Sequence, residues 1–127
     1  MISLRNLPVP ISKNALHTPV RCGRFVKMVR SKRAKLRGEE IIASIWKQLG
    51  GKLQEPAITK PCSMVWAITF PDKRKRDLQN FMEHLADCLQ EAKVVADDSL
   101  IVHQVCEVMP SIYRPGHVDL TIEELPS

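Results

Sequence analysis

The first 38 residues contain no aspartate or glutamate, although they carry ten lysines and arginines. So one-sided a stretch points to an anionic partner, either nucleic acid or an anionic membrane surface; a solvated face that meets nothing is the plainer alternative. The four cysteines form no C-x-x-C pair and have no histidine at finger spacing. That argues against a zinc site and leaves Cys22, Cys62, Cys88 and Cys106 as reduced, partly buried thiols. Long apolar runs are missing too. The longest, Met64 to Ile68, is too short to cross a bilayer, and Met1 to Leu7 is too short and too polar for the apolar region of a secretory signal. A soluble, cytoplasmic protein with no membrane partner is expected. The basic segment also lacks the large exposed apolar face that binding to a membrane surface needs. There is no internal repeat, low-complexity tract or heptad run.

What is present suits one folding unit. With 127 residues, 44% of them hydrophobic, residues 1–127 are expected to form a single domain around one core. The net charge of +5 and pI near 9.2 fit an anionic partner, but the charge is segregated along the chain. Residues 77–127 hold ten acids and only two cations, Lys93 and Arg114. Acids concentrated on a chain that meets nucleic acid are odd unless some of them bind cations.

Periodicity and punctuation predict the order β, β, α, β, α, β, β: an α/β (α+β) fold with a small mixed sheet and two main helices. Ile2 to Leu7 is a first strand, and the prolines at 8 and 10 make the segment through Asn14 an extended loop. There Ser12 and Asn14 either bond their own backbone or contact phosphate. Residues 24–30 form a second strand carrying Arg24, Lys27 and Arg30. Ser31 caps a helix over 32–49 that ends at Gly50-Gly51, with Ile41, Ile42, Ile45, Trp46 and Leu49 on one face. Its first turns carry Lys32, Arg33, Lys35 and Arg37, which oppose the helix dipole; a nearby phosphate backbone would reverse that cost.

Ser63 to Phe70 is nearly continuous in apolar and β-branched residues, which predicts an interior strand covered on both faces. It delivers the chain to Lys73, Arg74, Lys75 and Arg76. Asp77 opens the second helix, whose stripe is Leu78, Phe81, Met82, Leu85 and Leu89, with Gln79, Glu83, His84, Asp87 and Gln90 off it. Asp97-Asp98-Ser99 is a polar turn, and Leu100 to Val108 is a strand or a short helix. Pro110 to Gly116 is a loop, and 117–125 is a last, half-buried strand. Cations suited to phosphate beside carboxylates suited to metal point to a nuclease. A plain helix cap at Asp77 and a turn residue at Asp97 are the competing structural roles. His84 and His103 could serve as general bases by chemistry, but single histidines are more often surface or core residues.

The string from Pro71 to Asn80, PDKRKRDLQN, followed one helix later by VVADD at 94–98, resembles the RusA family of Holliday-junction resolvases: a basic run, D-L-D-N, a helix, then D-D. Pro8, Pro10, Ser12 and Asn14 resemble that family's opening P-P-S-x-N. The resemblance implies a homodimeric Mg2+-dependent endodeoxyribonuclease, with Mn2+ a possible substitute, that cuts four-way or branched DNA by paired phosphodiester hydrolysis. It also implies a bacterial, phage or prophage setting. Asp77 and Asp98 match two of the family's metal-binding acids. Two positions depart from the pattern: Gln79 stands where the middle acid is expected, and Glu83 where a helper lysine is common.

An amide binds a hard cation more weakly than a carboxylate does. Glu83, four residues from Gln79, lies on the same side of the helix and is expected to restore part of the lost charge. The candidate catalytic set is therefore Asp77, Asp98, Gln79 and Glu83, with Asp77, Asp98 and Glu83 as metal ligands. The candidate DNA-contacting set is Lys73, Arg74, Lys75, Arg76, Asn14, Arg30, Lys32 and Arg33. The hydrolytic scheme requires Asp77 and Asp98 to converge on one ion. The alternative is a catalytically weak or inactive relative that binds branched DNA without cutting it. A two-fold homodimer would match the two strands of a junction, with Val105 and Ile122 as candidate interface residues.

Overall fold

Apolar residues alternate with polar ones along the strands, and this builds a mixed sheet with both helices on one of its faces. The computed structural model describes residues 1–126. In chain order the elements are β1 (Ile2–Leu7), β2 (His17–Cys22), β3 (Phe25–Arg30), α1 (Lys32–Leu49), β4 (Cys62–Thr69), α2 (Gln79–Glu91), β5 (Ile101–Val108) and β6 (His117–Glu124). Single turns of 3₁₀ helix lie at Lys13–Ala15 and Asp98–Leu100. The main sheet has the order β1-β6-β4-β5; β4 pairs antiparallel with β6 and parallel with β5. β2 and β3 form a separate two-stranded sheet.

α1 begins and ends where its caps dictate. The Ser31 hydroxyl accepts the Ala34 N–H at 3.1 Å and donates to the Ala15 carbonyl at 2.7 Å, which fastens the helix start to the loop before β2. Gly50 closes the helix in the left-handed region at φ 86°, where a side chain would be strained. The apolar stripes of the helices and the inward side chains of β4 and β6 then form the main core, in which Ile41, Ile45, Met64, Trp66, Leu85, Leu89, Leu120 and Ile122 are buried. A smaller cluster of Ile11, Leu16 and Ala34 anchors the N-terminal loop.

Several expectations need correction. β4 is interior in having partners on both sides, but only one face is covered: Met64, Trp66 and Ile68 are buried, whereas Val65 is 51% exposed. Two helices suffice to cover one face of a four-stranded sheet, so the other is open. β2, which has a proline at its centre and every residue exposed, carries no pattern that predicts a strand; it forms only because the turn at Gly23 folds it onto β3. α2 starts at Gln79 rather than Asp77. Of the two readings for the stretch ending at Val108 the strand holds, but Ile122, a candidate interface residue, is buried in the core, whereas Val105 is exposed.

Candidate nucleic-acid interface and acidic residues

The basic loop is ordered by an acid that sequence reasoning passes over. Asp72 accepts the Arg74 N–H at 2.9 Å and pairs with the Arg76 guanidinium at 2.8 Å. Arg76 also lies over the Phe70 ring, 4.3 Å from its centroid, and donates to the Arg74 carbonyl at 3.1 Å. The hydrogen bond from Arg76, followed by that from Arg74, lowers the Asp72 carboxyl to about 2. Acid and arginines at spacings of two and four inside one loop are the signal that could have exposed this arrangement. The four consecutive cations therefore divide. Arg76 is turned inward, its side chain 16% exposed against 77% for Arg74, while Lys73 and Lys75 face solvent.

Three segments far apart in sequence meet beside this loop. The N-terminal loop at Val9 to Ser12, Arg33 and Arg37 of α1, and Phe70 to Arg76 enclose a cleft of about 360 Å³ with Phe81 on its wall. Four arginines and one aspartate line it, so the cleft is cationic. Arg37 holds the N-terminal loop in place by donating to the Val9 carbonyl. Lys32 and Arg33 are exposed, and Asn14 is exposed in the 3₁₀ turn. Arg30 differs from them: it is tied to Asp87 of α2 at 2.7 Å.

His84, placed off the apolar stripe by its periodicity, is 3% exposed. Its Nδ1 accepts the Ile11 N–H at 2.8 Å, which requires a neutral ring and couples α2 to the N-terminal wall of the cleft. Burial, with the Arg30 charge second, lowers its pKa; Asp87 opposes this and Arg37 adds to it. A lowered histidine favours folding above the ordinary value of about 6.5, and that contribution is lost as pH falls toward the folded-state value. His84→Gln is therefore expected to flatten the loss of stability between about pH 7 and 5, measured by urea midpoints at each pH. A slope equal to that of the parent would refute the assignment.

The acids are placed by the β4-α2-β5 connection. A parallel pair needs a crossover that returns the chain to its starting end, and Cys62 at the start of β4 indeed pairs with Ile101 at the start of β5. A residue just after β4 and a residue just before β5 are thus sent to opposite ends of α2. Asp77 accepts the Gln79 N–H at 3.1 Å, at the first residue of α2. Asp98 donates its N–H to Gln90 Oε1 at 3.0 Å, one residue from the helix end. The helix between these glutamines rises about 16 Å, at roughly 1.5 Å per residue, whereas ligands of one hard cation sit about 2.0–2.6 Å from it.

Asp77 and Asp98 of one subunit therefore do not share an ion, contrary to the expectation from sequence. Among the described residues, no three His, Cys, Asp or Glu side chains are grouped to hold a metal. The single subunit does not fit the implied cation. Asp77, with Gln79, faces a surface pocket lined by Trp66, Met82, Gln104 and Cys106. Asp98 is raised, by lost hydration first and then by the hydrogen bond and charge of Asp97, with Asp87 a further acidic neighbour. Asp97 takes the turn role, accepting the Ser99 N–H at 2.8 Å. Glu83 is exposed on α2, one turn beyond Gln79.

The family model described as Endodeoxyribonuclease RusA matches residues 23–123. The chain belongs to the RusA family of endodeoxyribonucleases. No match was found among the curated proteins. The matched residues begin in the turn between β2 and β3, so the basic loop, α2, both acids and strands β3 to β5 with nearly all of β6 lie within the RusA match, while β1 and the Pro8–Asn14 loop lie outside it. No helix among the described residues is long and apolar enough to cross a membrane. In this RusA-family chain, Asp72, Arg37 and His84 hold the walls of the cationic cleft, and Asp87 holds Arg30.

Proposed function

We propose that the chain resolves four-way or branched DNA as a Mg2+-dependent endodeoxyribonuclease, with Mn2+ a substitute, acting as a cytoplasmic homodimer. The observation that carries this reading is the cationic cleft built from three separate segments in a RusA-family chain, with Arg76 of its wall also lining the pocket that Asp77 faces. Lys73, Lys75 and Arg33 meet the phosphate backbone; Arg33 and Arg74 line the cleft, and Lys73 and Lys75 line an adjoining pocket that shares Arg74 and Arg76 with it. A two-fold axis across α2 reverses the helix direction, so the N-terminal end of one copy faces the C-terminal end of the other. That arrangement allows acids held at opposite ends of one chain to serve a shared site, and it matches the two-fold symmetry of paired cuts. A divalent ion held there by Asp77 of one copy and Asp98 of the other would supply charge neutralisation at the phosphate and an activated water.

The decisive experiment incubates a synthetic four-way junction with the protein and Mg2+ or Mn2+, beside an Asp77→Asn, Asp98→Asn double variant. Paired nicks from the parent alone are expected. Binding without nicks from either protein would overturn the enzymatic reading and leave the second one, a binder of branched DNA, which Gln79 in place of an acid specifically favours. Glu83 supplies part of the missing charge, so Glu83→Gln is expected to weaken Mg2+ binding at least as much as Gln79→Ala. An unchanged Mg2+ titration for Glu83→Gln would dismiss that role.

A further inference from the structure

The β2–β3 hairpin takes no part in the core. Every residue of β2 is exposed, and in β3 only Val29 and Arg30, at the base, are half-buried. The strands pair in unbroken register from His17↔Arg30 to Cys22↔Phe25, and Gly23-Arg24 closes them. Gly23 has φ +62° while Arg24 stays on the ordinary side, the pattern of a type II′ turn, which requires glycine at its first central position and matches the twist of the strands. A lone two-stranded ribbon is marginal in water. This one is held at its base, where Arg30 pairs with Asp87 and the Ser31 N–H donates to the Leu16 carbonyl. It is an arm with a preformed tip.

The tip has an unusual composition for a surface that meets only water. Phe25 is 77% exposed, with Val26 at 69% and Met28 at 60% beside it. Among these apolar groups stand Arg21, Arg24 and Lys27, and the hairpin has no acid. Arg21 Nε donates to the Gly23 carbonyl at 3.3 Å, which keeps one guanidinium at the turn. Charge of one sign selects a polyanion as the occupant. An aromatic ring among those cations needs a flat apolar surface to cover it, and in DNA only the face of a base offers one.

In a continuous duplex that face is available only after neighbouring base pairs are unstacked, at a cost of a few kcal/mol per step. At a branch point the stacking is already interrupted. We infer that the β2–β3 hairpin is a branch-point probe, in which Arg21, Arg24 and Lys27 bind flanking phosphates and Phe25 stacks on the base exposed where the duplex is interrupted. The inference rests on the nucleic-acid reading above and deepens it. The cations of the cleft grip any duplex, whereas the ring finds a partner only at a discontinuity, so the hairpin supplies the preference for branched over linear DNA.

The test uses the full chain in chelator, so that nothing is cut, with a four-way junction carrying 2-aminopurine at the branch point and a linear duplex of the same sequence. Phe25→Ala is expected to lose about 5- to 100-fold in junction affinity, to leave linear-duplex affinity and thermal stability unchanged, and to abolish the 2-aminopurine response. Phe25→Trp should restore all three properties. Retention of the junction preference by Phe25→Ala overturns the probe while leaving DNA binding intact. Equal losses on junction and linear duplex also overturn it. If Phe25→Ala instead breaks up an assembly that sedimentation detects without DNA, the hairpin touches another copy of the chain and the inference fails. Absence of any DNA binding by the parent would remove the underlying nucleic-acid reading as well.

Discussion

Replacing Arg33, Lys73 and Lys75 together with alanine is expected to weaken junction binding at least about 30-fold at physiological salt and to reduce the salt slope by about 3. Each of these side chains is exposed, and none is held by an ion pair among the described residues. Lys73 and Lys75 line one surface pocket beside the end of β5. Arg33 approaches the cleft from the first turn of α1, where no acid offsets it. A phosphate that the protein no longer neutralises keeps its condensed counterion, so the slope reports how many phosphates are reached, while the change in affinity depends on salt. Arg76→Ala removes the same charge but should act differently: it breaks the pair with Asp72 and uncovers Phe70, so its main effect is a less ordered loop. A slope unchanged in the triple variant would show that DNA does not follow the basic loop and the first turn of α1.

The largest effect on stability is expected from Trp66→Ala, a loss of about 3–5 kcal/mol. Trp66 is 2% exposed at the centre of β4, between β5 and β6, and its Nε1 donates to Gln104 Oε1 at 3.2 Å. Truncation leaves a cavity among the buried side chains of the main cluster and strips the Gln104 amide of a partner. Against a total stability of about 5–15 kcal/mol, that loss brings the protein close to unfolding at moderate temperature. The indole also lines the pocket that Asp77 faces, so the milder Trp66→Phe should loosen the floor of that pocket without unfolding the chain. A urea midpoint for Trp66→Ala within error of the parent would contradict this packing.

Much of the site is legible in the residues, because local rules govern it. Ser31 and Gly50-Gly51 fix the ends of α1 through hydrogen bonds and a left-handed turn, and the structure keeps both boundaries. The basic run and the turn role of Asp97 are likewise read from neighbouring residues alone, whereas the departures at Gln79 and Glu83 are read against the family resemblance. The exposed β2 is hidden from such a reading because neither of its faces is buried, so no apolar alternation marks it. His84 is hidden because its burial depends on the N-terminal loop, which lies 73 positions away in sequence.

By itself the sequence determined the local structure and the chemical inventory: helix ends, strand segments, a cationic N-terminal region, a basic loop and two separated acids. Those depend on capping, alternation and charge, which act between near neighbours. Only the tertiary structure decided which groups meet. Parallel pairing of β4 with β5 forces α2 to carry Asp77 and Asp98 to opposite ends of one subunit, while Asp72 turns Arg76 inward. Packing of Ile11 beside His84 closes the cleft wall. Strand direction and long-range packing set these distances, and no spacing within a linear motif encodes them.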